Sequence, residues 1–239
     1  MLQPAVVITC EHGGNAVPAP YRPLFDGAKD VLSSHRGWDP GALRLARQFA
    51  KHLNAPLHFA NVTRLLVELN RSLGHARLFS EFTAGIAETD KTQILARYWH
   101  PYRSAVESDV ARLICDHGQV VHLSVHSFTP VWEGVVRRTD VGLLYDPARQ
   151  DERQLCRHWQ VSLRAGQPSL TVHRNAPYRG ISDGFVTSLR KAFDADRYVG
   201  IELEVNQRLI QSPAAMNTAL TVNLLHSFEH TLTQFRSTH

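Results

Sequence analysis

Short β-branched runs alternate along this chain with longer stretches in which apolar residues return every three or four positions. Ala5 to Thr9 (AVVIT) has the pattern of a buried strand and stops at a polar, glycine-containing segment, Cys10 to Asn15. From Pro40 on, Ala42, Leu43, Leu45, Ala46, Phe49, Ala50 and Leu53 fall at helical spacing, with Asp39 placed as an N-cap ahead of a first-turn proline. Pro56 to Ala60 and Leu65 to Leu69 read as two short strands, the second ending at Asn70-Arg71. Thr89 to Cys115 predicts a long helix on the spacing of Ile94, Tyr98, Tyr102, Val106, Val110 and Leu113, kinked but not divided by Pro101. Val120 to Val125 is a second buried-strand run, closed by His126-Ser127. Then follow a strand over Val141 to Tyr145, a helix over Asp151 to Ala165, a strand over Leu170 to His173 and a helix over Gly184 to Asp194. Tyr198 to Val205 is the last predicted strand, and a closing helix runs from Ser212 to Phe235, its start marked by Ser212-Pro213.

Strands that alternate with helices imply an α/β fold of three layers, α/β/α, around a central mixed, mostly parallel sheet. The 239 residues carry no Gly/Ser-rich, Pro-rich or single-sign charged linker, so residues 1–239 are expected to form a single domain. The net charge of +4 is spread without a basic block, which argues against nucleic acid as a partner. Glu11 and His12 interrupt the first apolar run too early for a signal peptide or a membrane span. Cys10, Cys115 and Cys156 are odd in number and far apart, which favours a reducing compartment over a disulfide framework. A cytoplasmic protein without membrane association is the expectation.

In sheets of this kind, polar side chains just past the carboxyl ends of strands face a common crevice. Four predicted strand ends carry reactive groups: Glu11-His12, Asn70-Arg71, His126-Ser127 and Glu202/Glu204. With fourteen histidines in the chain, a lone histidine means little, but His12 and His126 each stand where burial stops and a cleft opens, as zinc ligands do. Gly13-Gly14 would let the backbone approach a metal or ligand closely. Glu11 points elsewhere in an extended segment and reads as a hydrogen-bonding partner behind the ligands. A catalytic zinc takes three protein ligands and leaves one position open, and the candidates for the third are Asp39, His35 and His122. Glu202 and Glu204, two apart on one strand, share a face, and one of them is placed to relay a proton to and from water. Arg64, Arg71 and Arg179 come from three loops or strand ends and suit an acidic substrate, because a guanidinium grips a carboxylate with two charged hydrogen bonds.

The segments CEHGGNAVP (10–18), WDPGA (38–42), TRLLVELNR (63–71), SVHSFTP (124–130), NAPYRGISDG (175–184) and ELEVNQ (202–207) together resemble the N-formylglutamate amidohydrolases. The resemblance spans about residues 6–210, with the motifs in the family's order. It implies a fold and site plan similar to the zinc carboxypeptidases and one hydrolytic Zn2+ per chain. It implies His12, Asp39 and His126 as metal ligands, Glu204 as general base and acid, and Arg64, Asn70 and Arg71 as contacts for the substrate's carboxylate or carbonyl.

The expected activity is hydrolysis of the amide of a small N-acyl acidic amino acid such as N-formylglutamate. A carboxypeptidase or amidase acting on cell-wall or other peptides would use the same metal site on larger substrates. A binding protein for an acidic ligand, without turnover, is the reading from another class and requires no stoichiometric metal. Ser124 and Ser127 near His122 and His126 do not make a serine hydrolase, since no GxSxG elbow exists.

Overall fold

The computed structural model describes residues 5–212 and 215–236. Its elements in chain order are β1 (Ala5–Cys10), α1 (Lys29–Ser33), α2 (Ala42–Leu53), β2 (Leu57–Phe59), α3 (Glu88–Ile94) and α4 (His100–His117). They continue with β3 (Val120–Phe128), β4 (Val131–Trp132), β5 (Val135–Val136), β6 (Val141–Leu144), α5 (Gln150–Gly166) and β7 (Val172–Arg174). The last are α6 (Phe185–Ala192), β8 (Tyr198–Asn206), β9 (Ile210–Ser212), β10 (Ala215–Met216) and α7 (Thr218–Arg236). Six strands form one mixed sheet in the order β2-β1-β3-β8-β6-β7. β2, β1, β3 and β8 are parallel, β6 runs antiparallel to β8, and β7 lies parallel to β6. The predicted α/β class and mostly parallel sheet are thus present.

Because successive side chains leave a strand on opposite faces, each central strand feeds two layers. Val6, Ile8 and Cys10 of β1, Val121, Leu123 and Val125 of β3, and Val199, Ile201, Leu203 and Val205 of β8 meet α2, α5 and α7 on one face. There Trp159 and Phe228 pack with ring centroids 4.5 Å apart and Phe49 closes on both. Each such aromatic side chain contributes about 1.5–3 kcal/mol by leaving water. On the other face Val7, Val120 and Tyr198 lie under α4 and α6. Further along the strands this second face turns polar, carrying His122, Ser124 and His126 on β3 and Glu202 and Glu204 on β8, all buried. The sheet therefore keeps one face apolar except for Ser127 near the end of β3 and one whose carboxyl-terminal half is polar.

Several local expectations are corrected. Leu65 to Leu69 is not a strand: the backbone turns, with the Leu66 N–H donating to the Thr63 carbonyl and the Arg71 N–H to the Glu68 carbonyl. These residues are apolar because they fill a separate cluster with Phe25, Leu78, Ile94 and Trp99, and a buried turn and a buried strand look alike in a short apolar run. Helix α2 starts at Ala42 behind Gly41 at φ +80° with no side-chain cap, so Asp39 is not its N-cap. The long helix continues through Pro101, which has no N–H to donate, and just ahead of it lies a π-helical stretch over Leu95–Trp99 in which the His100 N–H donates to the Leu95 carbonyl. The closing helix starts at Thr218 rather than Ser212, because Ile210–Ser212 pairs antiparallel with Ala215–Met216 and Asn217 Oδ1 accepts the Leu220 N–H at 3.1 Å. Pro213 of the predicted start lies outside the described residues. Strands β3 and β8 run on to Phe128 and Asn206, so His126 sits within its strand and not beyond it. Among the described residues no helix is long and apolar enough to cross a membrane.

Candidate metal centre

Three segments converge at the carboxyl ends of β1 and β3. Past β1 the chain turns at Glu11-His12, and the His12 carbonyl accepts the Asp39 N–H at 2.9 Å, pinning the loop before α2 to the strand end. The Asp39 carboxylate then faces both histidines: Oδ2 lies 3.2 Å from His12 Nδ1 and 2.9 Å from His126 Nδ1. All three side chains are buried, and one ligand atom from each falls within 4.8 Å of the others. The Ser127 N–H also donates to Asp39 Oδ2, at 3.4 Å.

The far nitrogen of each imidazole is held by another carboxylate. Glu68 Oε1 lies 2.5 Å from His12 Nε2, and Glu11 Oε2 lies 3.1 Å from His126 Nε2. Glu11 in turn accepts from Ser124 Oγ at 2.7 Å and from the Tyr102 hydroxyl at 2.9 Å. Such pairs fix ring orientation and leave both Nδ1 atoms aimed at the same point. Arg64 ties the acids together, donating from Nε to Glu68 at 2.7 Å and from Nη1 to Asp39 at 3.2 Å. Burial works to raise the pKa of all three acids, yet His126 and Ser124 hold Glu11, the two histidines and Arg64 hold Asp39, and Arg64 and His12 hold Glu68 well below the usual carboxylate range. Burial works to lower His126, but its bonds to Asp39 and Glu11 push it well above the ordinary imidazole value. Glu68 was not among the residues singled out from the sequence. Its signal is a lone carboxylate inside the apolar run Leu65, Leu66, Val67, Leu69.

Register places the second pair of acids. β3 and β8 pair His126 with Glu204 and Ser124 with Glu202, and paired residues of adjacent strands project from the same face. Glu204 is opposite Gly142 on β6, where a Cβ would collide with the Ala176 carbonyl oxygen and crowd Glu204 Cβ at 3.3 Å. Glycine is therefore required for the 175–178 segment to pack beside Glu204. Burial, together with the nearby charges of Asp39 and Glu202, raises the Glu204 pKa to about 8 against the pull of the histidines. Its Oε2 is buried without a hydrogen-bond partner among the described residues. Glu202 is also raised, chiefly by burial.

A cavity of about 340 Å³ opens over these groups, lined by His12, Asp39, His126, Glu202 and Glu204 and by five arginines. Arg64 is bound by its acids, and Arg36 pairs with Glu81. Arg71 Nη1 donates to the backbone carbonyls of Asn70 at 2.9 Å and Asp183 at 2.5 Å. The side chains of Arg179 and of Arg77, a residue the sequence reading passed over, have no partner among the described residues. Asn70 lines the same cavity, its Oδ1 accepting the Phe185 N–H at 2.6 Å. His35 lines it as well, edge-on to Trp132, but is not one of the three clustered donors. His122 lies deeper, its ring nitrogens 2.8 Å from Thr9 Oγ1 and 2.6 Å from the Tyr198 hydroxyl, and burial lowers its pKa to about 4. The glycine pair after His12 serves a different neighbour from the one expected: Cβ atoms on Gly13 and Gly14 would meet the Ala60 and Asn61 carbonyl oxygens at 2.8 and 2.6 Å.

Two imidazole nitrogens and a carboxylate oxygen, buried and converging, form a donor set that suits zinc. The Glu204 carboxylate, its Oε2 without a partner among the described residues, lines the same cavity.

A family model described as N-formylglutamate amidohydrolase matches residues 4–211. Among solved structures, a gene product of Agrobacterium tumefaciens is similar at 27% identity and a TM-score of 0.78, over 98% of this chain and 92% of that one. An N-formylglutamate amidohydrolase from Ralstonia eutropha JMP134 shares the fold at 20% identity and a TM-score of 0.70, over 100% of this chain and 96% of its own. No curated protein matches the sequence.

Proposed function

The chain belongs to the N-formylglutamate amidohydrolase family, and from that premise we propose that it is a single-domain, zinc-dependent amidohydrolase cleaving an N-acyl acidic amino acid such as N-formylglutamate. His12 Nδ1, His126 Nδ1 and Asp39 Oδ2 would hold the zinc. When bound, the ion polarises the acyl oxygen and acidifies water. Glu204 takes the proton from the attacking water and delivers it to the amide nitrogen as the C–N bond breaks, leaving a free acid and an amine. Burial raises its pKa to about 8 in the metal-free protein, which lets it hold the proton it must return, and a cation held by His12, Asp39 and His126 would lower it toward the carboxylate that accepts the water's proton. Asn70, Arg71 and Arg179 orient the substrate, and Arg77 and Arg179, whose side chains have no partner among the described residues, are both free to take a carboxylate. Arg64 acts from behind, keeping Asp39 and Glu68 ionised beside the histidines.

The observation that carries this reading is the unpartnered Glu204 carboxylate sharing one cavity with three converging donor atoms. Zinc-loaded protein should hydrolyse N-formylglutamate, and Glu204→Gln should lose about 10²-fold or more in kcat while keeping one zinc per chain. Full activity in Glu204→Gln, or no hydrolysis of N-formyl, N-acetyl and short peptide substrates, would overturn it. Near-zero zinc in untagged protein together with ligand binding would favour the non-catalytic reading.

A further inference from the structure

The cavity also has an aromatic wall, formed by Trp132 and Tyr178. Strands β4 and β5 form a two-residue hairpin through Glu133 at φ +49° and Gly134 at φ +77°, the left-handed pair that such a tight turn needs. An isolated two-stranded ribbon of this length is marginal in water, so its placement must come from elsewhere. Arg137 provides it. Its guanidinium carbon stands 5.2 Å from the Trp132 ring centroid, 5.1 Å from Tyr178 and 5.7 Å from Phe128, and Nη1 donates to the Tyr178 hydroxyl at 3.0 Å. The Arg137 N–H closes the hairpin base on the Pro130 carbonyl at 2.8 Å. One cation thus locks an indole from the hairpin and a phenol from the segment after β7 into a single aromatic surface.

Trp132 and Tyr178 both line the catalytic cavity, yet both stay exposed. Val135 and Val136 on the same hairpin are 67% and 68% exposed, and Ile181 beyond Tyr178 is exposed as well. Exposed aromatic rings that line a polar cavity are the kind of surface that a ligand covers. The wall also stands on a particular side. The Ala176 carbonyl packs beside Glu204 across Gly142, so Tyr178 belongs to the bank that carries the base, whereas Arg71 and Arg77 come from the 70–78 loop. A substrate with a carboxylate held by Arg71 and Arg77 on that far bank and its amide facing Glu204 would extend its acyl group toward Trp132 and Tyr178.

We propose that Trp132 and Tyr178, clamped by Arg137, form an acyl-group subsite, and that the preferred substrates are N-acyl acidic amino acids whose acyl group is aromatic or bulky and apolar rather than formyl. This rests on the amidohydrolase reading above. A phenyl ring laid on the wall should favour such a substrate by about tenfold or more over formyl, the factor expected from covering a ring-sized apolar surface.

The test compares N-phenylacetylglutamate with N-formylglutamate. In the zinc-loaded wild type, kcat/KM should be at least about tenfold higher for the phenylacetyl compound, fall to near parity in Trp132→Ala, and recover in Trp132→Phe. A preference for formyl, or a ratio that Trp132→Ala leaves unchanged, overturns the subsite. If neither compound is hydrolysed, the amidohydrolase reading fails by itself, and the subsite is decided by calorimetric binding to Glu204→Gln protein. Tighter binding of the phenylacetyl compound that is lost on adding Trp132→Ala upholds the subsite, and equal binding with or without Trp132 overturns it.

Discussion

His12 and His126 each lie between two carboxylates, one on either ring nitrogen, and this governs how the centre responds to protons. Zinc takes neutral imidazole, so it must displace the proton that Asp39 and Glu11 help His126 to keep. Its affinity should therefore rise by about tenfold per pH unit as the pH climbs from the usual imidazole range toward the raised value of His126. In metal-free protein the His126 proton contributes stability that is complete below the ordinary imidazole value of 6.5 and is lost as pH rises through the raised one. The depressed acids Glu11, Asp39 and Glu68 act oppositely, stabilising above their usual values and losing that contribution as pH falls. Melting curves from about pH 4 to about pH 9 should show metal-free protein weakening toward both ends and zinc raising the midpoint most on the alkaline side. Glu68, which fixes the His12 ring, has its own signature: Glu68→Gln should weaken zinc binding by about 10- to 100-fold, read by chelator competition, with kcat at saturating zinc changed far less.

Among the elements, the pairing of β3 with β8 matters most to the site, because it sets His126 directly beside Glu204. β6 completes that arrangement from the other side, and its Gly142 is the narrowest point. Gly142→Ala should destabilise the protein by about 1–3 kcal/mol through overpacking, and it should lower kcat as well, since the strain falls on Glu204 and the Ala176 carbonyl. Urea unfolding and steady-state kinetics on the same preparation check both. The strands of this central set were legible in the sequence, since β-branched runs buried on two faces leave a strong local imprint. Leu65 to Leu69 carries the same imprint and yet is a turn, because its apolar side chains answer to Phe25, Ile94 and Trp99 rather than to neighbouring strands. Asp39 is the complementary case: a residue of N-cap type ahead of proline, drawn away from the helix by two imidazoles and Arg64.

For the molecule as a whole, the second sheet face must be apolar near the strand starts and polar near their ends, and a buried ion pair bridges the two regimes. Glu152 on α5 accepts from Arg190 Nε at 2.9 and 3.1 Å, and Arg190 reaches on to the Gly180 carbonyl at 2.5 Å and the Gly200 carbonyl at 2.9 Å. The Gly180 contact anchors the segment that bears Tyr178 and Arg179. Glu152→Gln leaves the Arg190 charge buried and poorly compensated, so stability should fall by about 3–5 kcal/mol, with KM rising more than kcat falls as that segment loosens. Denaturant titration and a KM-against-kcat comparison test this, and unchanged stability would show that Arg190 finds its compensation elsewhere. By itself the sequence determined the α/β alternation, the central strands and the histidines, acids and arginines at their ends, because strand and helix periodicity and strand-end polarity are local properties. Only the tertiary structure decided that Asp39 faces both histidines, that Glu68 and Glu11 stand behind them and that Arg137 clamps the aromatic wall. Those contacts join segments far apart in the chain, and which polar groups meet in a low-dielectric crevice depends on how the layers close, which no local pattern encodes.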